Sequence, residues 1–331
     1  VGSLVTIVVF AALRPALGLD ALPTAMLVGS VVSAAMIAVG LFGEGWRPRM
    51  PGPGAVSALR VLTLSSVSFL VAQIGTIVTL AIGATFGVGI VTLLTYASMA
   101  MGLLQALFVS AIPMVLASPL AQTWDRRPES LIPHHEAVLR AGLLLTVPFV
   151  VAAALIGADV VEAITAFSAG ESQLMIELFL ILSANVLWGQ LQSVPYAALL
   201  AIGRYSAIAL LTAAVVAVQI VIAVVASSVD DVHLLAASGP ISIVISAVGV
   251  CVLVSPRYLR LAAPRLGGVL ALNAAITALS FGAAWALGEL LDLPGLVTFA
   301  AGLAAYAGLV LLPATERDTV QRLLGAVSRR R

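Results

Sequence analysis

The feature that most constrains this chain is the recurrence of apolar runs long enough to cross a membrane. Ten follow one another, at approximately 2–18, 21–43, 60–83, 88–121, 139–158, 173–201, 205–227, 232–254, 265–287 and 294–313. A helix of about 20 apolar residues spans the roughly 30 Å of hydrocarbon in a bilayer. No water reaches backbone N–H and C=O groups there, so each run must close its hydrogen bonds within itself, as a helix. The two-residue alternation of a membrane barrel strand is absent. The expected fold is therefore all-α, a polytopic transmembrane helix bundle of about ten spans. Charged residues are only 9% of the chain, against about 25% in a soluble domain, so a water-facing surface could not be covered.

The arginines give the topology. All 16 basic residues are Arg. Fifteen fall in alternate connections or in the tail: Arg47, Arg49 and Arg60; Arg126, Arg127 and Arg140; Arg204; Arg257, Arg260 and Arg265; and Arg317, Arg322, Arg329, Arg330 and Arg331. The intervening connections carry none. Arginine accumulates on the cytoplasmic side of membrane proteins, so that side and the C-terminus are expected to be cytoplasmic. Arg without Lys, in a chain rich in Ala, Val, Gly and Leu, reads as GC-rich bacterial coding, and the expected location is a bacterial plasma (inner) membrane. The tail at 314–331 is polar and basic and reads as an interfacial helix or a solvated segment. The chain opens Val1-Gly2-Ser3, directly on an apolar run with no charged leader, so residue 1 reads as a cut inside a longer protein rather than a signal peptide. The single cysteine, Cys251, excludes an intrachain disulfide.

No enzyme constellation is present. There is no phosphate-cradling G-x-x-x-x-G-K-[ST] loop and no H-E-x-x-H pair. No catalytic residue, metal site or cofactor is expected, and no nucleic-acid partner. His134-His135-Glu136 reads as part of a solvated cytoplasmic loop, because adjacent residues point apart on a helix and no further ligand has metal spacing. Polar residues inside the runs are more informative, since they are costly in hydrocarbon and face a bundle interior or a cavity. Ser66, Gln73 and Thr76 share one helix face; Thr95, Ser98, Gly102 and Gln105 share another; Asn185, Gln192 and Tyr196 share a third, with Trp188 and Gly189 between them. Gln219 and Asn273 stand alone. Each stripe is either hydrogen-bond glue between helices, worth roughly 0.6 kcal/mol per contact, or the lining of a cavity. Arg14, beside Pro15, lies outside the cytoplasmic set; it either snorkels to the outer headgroups or offers a cation to an anionic substrate. Asp159, Glu162, Glu171 and Glu177 read as an outer solvated rim.

The segment from Gly87-Val88-Gly89-Ile90 to Tyr96-Ala97, continuing Leu103-Leu104-Gln105-Ala106-Leu107-Phe108-Val109-Ser110-Ala111-Ile112-Pro113, resembles the start of the second lobe in the polysaccharide and lipid-linked oligosaccharide flippases. These belong to the multidrug/oligosaccharidyl-lipid/polysaccharide exporter superfamily. Tyr196-Ala197-Ala198-Leu199-Leu200-Ala201-Ile202-Gly203-Arg204 resembles the matching helix of that lobe. The resemblance covers about residues 60 to 255. It implies the C-terminal lobe of a two-lobe, inverted-V transporter plus two extra helices. Residues 1–45 would be the last two helices of an incomplete first lobe, 46–262 the six-helix second lobe, 263–313 the additional pair and 314–331 the basic cytoplasmic tail. The layout is that of the lipid II flippases, but Ser98 and Met99 stand where those carry Asp-Arg, which favours another polyprenyl-linked glycan. The function so implied is translocation of a polyprenyl-diphosphate-linked glycan or related cell-envelope lipid precursor by alternating access, with membrane lipids and a coupling ion as further partners. The side chains expected in the substrate cavity are Gln73, Thr76, Ser98, Gln105, Asn185, Gln192, Tyr196 and Arg14. Two alternatives stand beside it. A cation-coupled multidrug exporter would want an intramembrane carboxylate, and none sits mid-span here. An integral membrane scaffold would not transport at all.

Overall fold

The computed structural model describes residues 8–9, 12–13, 24–25, 27–29, 31–32, 35–36, 39, 55–87, 89–106, 109, 116, 120 and 127–313. The chain divides into two compact units, Val1–Arg60 and Val61–Arg331. In the first, every described residue from 8 to 39 is helical and Ala25 is fully buried. The second is built from long helices: α1 (Ala55–Gly83), which begins in the first unit, α2 (Ile90–Gln105), α3 (Ile132–Ile164), α4 (Ala169–Ala201), α5 (Tyr205–Ser228), α6 (Val232–Val254), α7 (Pro256–Leu291) and α8 (Gly295–Val310). Five helices, α3 to α7, are long and apolar enough to cross a membrane, with shorter apolar helices beside them. The described residues form no strand. The protein is a multi-pass membrane helix bundle.

Local chemistry sets where these helices start and turn. At the head of α4, Ser168 Oγ accepts from Glu171 N and Glu171 Oε2 accepts from Ser168 N at 2.8 Å, a reciprocal box that satisfies two donors the helix leaves open. Asp231 Oδ1 accepts from His233 N and Leu234 N at the head of α6, and Ser255 Oγ accepts from Arg257 N at the head of α7, with Pro256 in its first turn. The turn between α4 and α5 passes through Gly203 at φ +73, which glycine adopts without a Cβ clash. These short connections make successive helices antiparallel.

α4 is the central helix. It packs on α2, α3 and α6, and 56% of its most apolar window is buried, against 17% in α3 and in α5. Two apolar clusters lie along it. One joins Leu131, Leu139, Val194, Leu199, Val250 and Tyr258 near the arginine-bearing ends. The other joins Leu93, Leu94, Leu178, Val186, Ala223 and Leu235 toward the opposite ends. A third packs α7 and α8 together through Ile276, Phe281 and Tyr306. Asn273, expected to stand alone, donates to Tyr306 Oη at 3.2 Å and joins these two helices. Large apolar side chains such as Leu210, Val221, Leu279 and Leu290 point outward, which is expected where the solvent is lipid.

One sequence expectation is corrected here. His134, His135 and Glu136 are not in a loop but in the first turns of α3. His135 is fully buried and its Nδ1 lies 2.5 Å from Tyr258 Oη. The helix continues past the hydrocarbon because its polar first turns find partners on α7, which hydropathy alone does not register.

Candidate substrate cleft

Within the second unit, α1, α2, α4, α5 and α6 surround a cleft of about 580 Å³, within the usual range for ligand pockets. Gln73 and Thr76 of α1, Ser98 and Gln105 of α2 and Asn185 of α4 all line it. Five of the eight expected cavity residues are thus brought together. Three are not. Gln192 accepts at Oε1 from Ser246 Oγ of α6 at 2.6 Å. Tyr196 packs, half-buried, against the apolar cluster near the arginine-bearing ends. Arg14 lies outside the described residues. Of the other stripe members, Gly102 lines the cleft, while Thr95 turns its hydroxyl back to Val91 O at 2.7 Å.

The local geometry explains how the cleft stays open and polar. Gln219 Nε2 of α5 donates to Thr79 Oγ1 at 3.1 Å, and Thr79 donates in turn to Gly75 O at 2.9 Å. A Cβ on Gly75 would come within 3.0 Å of Gln219 Oε1, so glycine there is what lets the glutamine amide reach α1. On the facing wall Gly239 lies beside Asn185, where a Cβ would stand 3.5 Å from Asn185 Nδ2. Ser238 Oγ is buried and has no hydrogen-bond partner among the described residues. Leu94, Met101, Val216 and Leu235 form the apolar part of the wall. No charged side chain is among the described lining. Amides and hydroxyls both donate and accept, so the cleft matches a neutral, multiply hydroxylated ligand better than an ion.

Thr79, Thr212, Gln219, Ser238 and Ser242 also line the cleft and are not among the residues expected there. Their signal was present. Thr212 and Gln219 are seven residues apart on α5, and Ser238 and Ser242 four apart on α6, the spacings that define the other stripes. Asp159, Glu162 and Glu171 are exposed, and Glu177 is partly exposed and lies 3.1 Å from His233 Nε2. Among the described residues no three His, Cys, Asp or Glu side chains cluster as metal ligands would.

No protein-family model matches the chain, and no curated protein sequence does. Among solved structures, one of the lipid II flippase MurJ in its inward closed conformation shares the fold, with a TM-score of 0.66 and 16% sequence identity, covering 96% of this chain. The chain spans 66% of that structure's length. At this identity the likeness establishes architecture.

Proposed function

We propose that this protein is a flippase that carries a polyprenyl-diphosphate-linked glycan, or a related cell-envelope lipid precursor, across the membrane. The observation that carries the reading is a cleft whose described lining is amides, hydroxyls and apolar groups without charge, inside a helix bundle with the architecture of a lipid II flippase. Such a substrate combines a bulky polar glycan with a lipid tail. Gln73, Thr76, Ser98, Gln105 and Asn185 receive the sugar hydroxyls, so the glycan crosses without meeting hydrocarbon. The diphosphate calls for a cation, and Arg14 is the residue we assign to it. Residues 46–262 act as one lobe, rocking against a lobe that ends in residues 1–45, with 263–313 as an added pair of helices. Rocking of one lobe against the other gives alternating access. An ion gradient or the membrane potential supplies the energy. No chemical step is assigned to any residue. The exporter alternative lacks support in this cleft, whose described lining has no carboxylate to carry a coupling ion.

The test is direct binding. The full chain in nanodiscs is titrated with a fluorescent polyprenyl-diphosphate disaccharide and with the sugar-free polyprenyl phosphate. Replacing Gln105 and Asn185 by Leu should weaken the sugar-bearing lipid by roughly tenfold or more, at about 1 kcal/mol for each hydrogen bond lost. The sugar-free lipid should not respond. If both lipids bind the wild type and the variant alike, the cleft does not read the glycan and the proposal fails.

A further inference from the structure

A second cavity lies on the other side of α4, and a basic pocket follows it along the same helices. α3 and α7 run parallel, both starting at the arginine-bearing end. They touch there: Arg257 Nη2 lies 2.8 Å from Glu129 Oε1, and His135 meets Tyr258. Further along they part. Leu143, Val147 and Val151 of α3, Leu270 and Ala274 of α7 and Leu187 of α4 line a gap of about 570 Å³. The hydroxyls among the lining point back to their own helices: Thr146 donates to Gly142 O, Ser183 to Leu180 O and Thr277 to Asn273 O. The gap is therefore almost wholly hydrocarbon. At its arginine-bearing end, Arg140 and Arg265 line a pocket of about 370 Å³ with Glu136. A Cβ on Gly268, in that pocket, would meet nothing within 4 Å. Arg140 is three residues from Leu143 on α3, and Val269, lining the basic pocket, is next to Leu270 on α7. The two spaces thus follow each other along the same pair of helices.

We propose that this seam is a binding site for an anionic phospholipid of the arginine-bearing leaflet, with its phosphodiester between Arg140 and Arg265 and one acyl chain in the gap between α3 and α7. Charge complementarity selects the headgroup. Guanidinium forks match phosphate oxygens, and basic pockets between membrane helices on the cytoplasmic side are where anionic headgroups bind. The 3.7 Å approach of Arg265 Nη1 to Glu136 Oε1 does not compete strongly, because Arg265 is 62% exposed and such pairs are weak. Length selects the chain. From Arg140 to Val151 a helix rises about 16 Å, close to one leaflet of a hydrocarbon core of about 30 Å. The seam is separate from the polar cleft and the inference does not rest on the transport reading; its failure would leave that reading intact.

The test is retention of lipid by the purified full chain in neutral detergent, read by native mass spectrometry. Phosphatidylglycerol should be retained at least fivefold more than phosphatidylcholine of the same chains. Replacing Arg140 and Arg265 by Gln should abolish that preference, whereas Arg260→Gln, exposed on the same helix outside the pocket, should leave it. Gly268→Leu, whose Cβ meets nothing within 4 Å and whose side chain occupies the headgroup pocket, and Ala274→Trp, which blocks the chain gap, should each lower retention while the protein elutes as a single species. Free glycerol phosphate should not compete, since it lacks the chain. Equal retention of the two phospholipids by the wild type, or undiminished retention by the Gln pair and by Gly268→Leu, overturns the proposal. So does displacement of phosphatidylglycerol by an equimolar polyprenyl phosphate, which would give the seam to an isoprenoid chain.

Discussion

α4 separates two cavities of nearly equal volume and opposite character. The cleft on one side, about 580 Å³, presents amides and hydroxyls from five helices; the seam on the other, about 570 Å³, presents hydrocarbon from three. Asn185 belongs to the first, and Ser183, Leu187 and Gln190 belong to the second. The linings differ in how many polar side chains reach the space. Among the described residues, the cleft gathers four amides, Gln73, Gln105, Asn185 and Gln219, and six hydroxyls; the seam has two amides, Gln190 and Asn273, and three hydroxyls. Both seam amides donate to a neighbouring helix, Gln190 to Thr146 and Asn273 to Tyr306. Hydroxyls in both places bond the backbone one turn back. A hydroxyl in a membrane helix therefore does not by itself signal a cavity, whereas amides gathered from several helices do.

The largest effect should come from the wall between the two regions. A Cβ on Gly142 would lie 2.6 Å from Gln190 Cδ, so Gly142→Leu drives the glutamine amide out of its buried seat and strips its bond to Thr146 Oγ1. Overpacking and a lost buried hydrogen bond together should cost about 3 kcal/mol, read as a clear fall in the thermal midpoint in detergent. An unchanged midpoint would mean that α3 and α4 are not close-packed here. Next, Asn185→Leu should cost glycolipid affinity about 1 kcal/mol while leaving the midpoint in place. If it lowered stability instead, the cleft would be a glued interface rather than an open one. Asn273→Leu should do the reverse, lowering stability by about 0.6 kcal/mol through the loss of the Tyr306 bond, with no change in glycolipid binding. The smallest effect belongs to Gln190→Leu. Gln190 Oε1 is buried with no partner among the described residues, and Thr146 keeps its bond to Gly142 O. Leu gives up the Gln190 Nε2 bond to Thr146 Oγ1 and also removes the unsatisfied Oε1; the two offset, so stability should move by no more than about 0.5 kcal/mol.

The helices themselves were legible. Runs at 205–227 and 232–254 coincide with α5 and α6 to within a residue, because a backbone in hydrocarbon has no alternative. The runs at 139–158 and 265–287 fall short of α3 and α7 by several residues at their arginine-bearing ends. There the helices continue on ion pairs and on the buried contact of His135 with Tyr258, and pairs between residues more than a hundred positions apart leave no trace in local hydropathy. The cleft was half legible. Seven-and-three and seven-and-four spacings located Gln73, Thr76, Ser98, Gln105 and Asn185, but the same pattern placed Gln192 and Tyr196 with them. Nothing in α4 alone shows that Ser246 of another helix takes up the Gln192 carbonyl. The seam was not legible, because its defining property is a space between two helices far apart in sequence.

α6 ends at Val254 and α7 begins at Pro256, so a single residue, Ser255, joins them. Its side chain caps α7, and Arg204 clamps the end of α6 by donating to Leu253 O at 2.8 Å. A joint this short has little slack: one residue supplies the only two backbone torsions that can absorb a tilt or a twist. Ser238 and Ser242 of the cleft ride on one arm of this elbow, and Arg265 of the lipid seam rides on the other. A tilt of the first arm is therefore passed to the second through one residue instead of being lost in a loop.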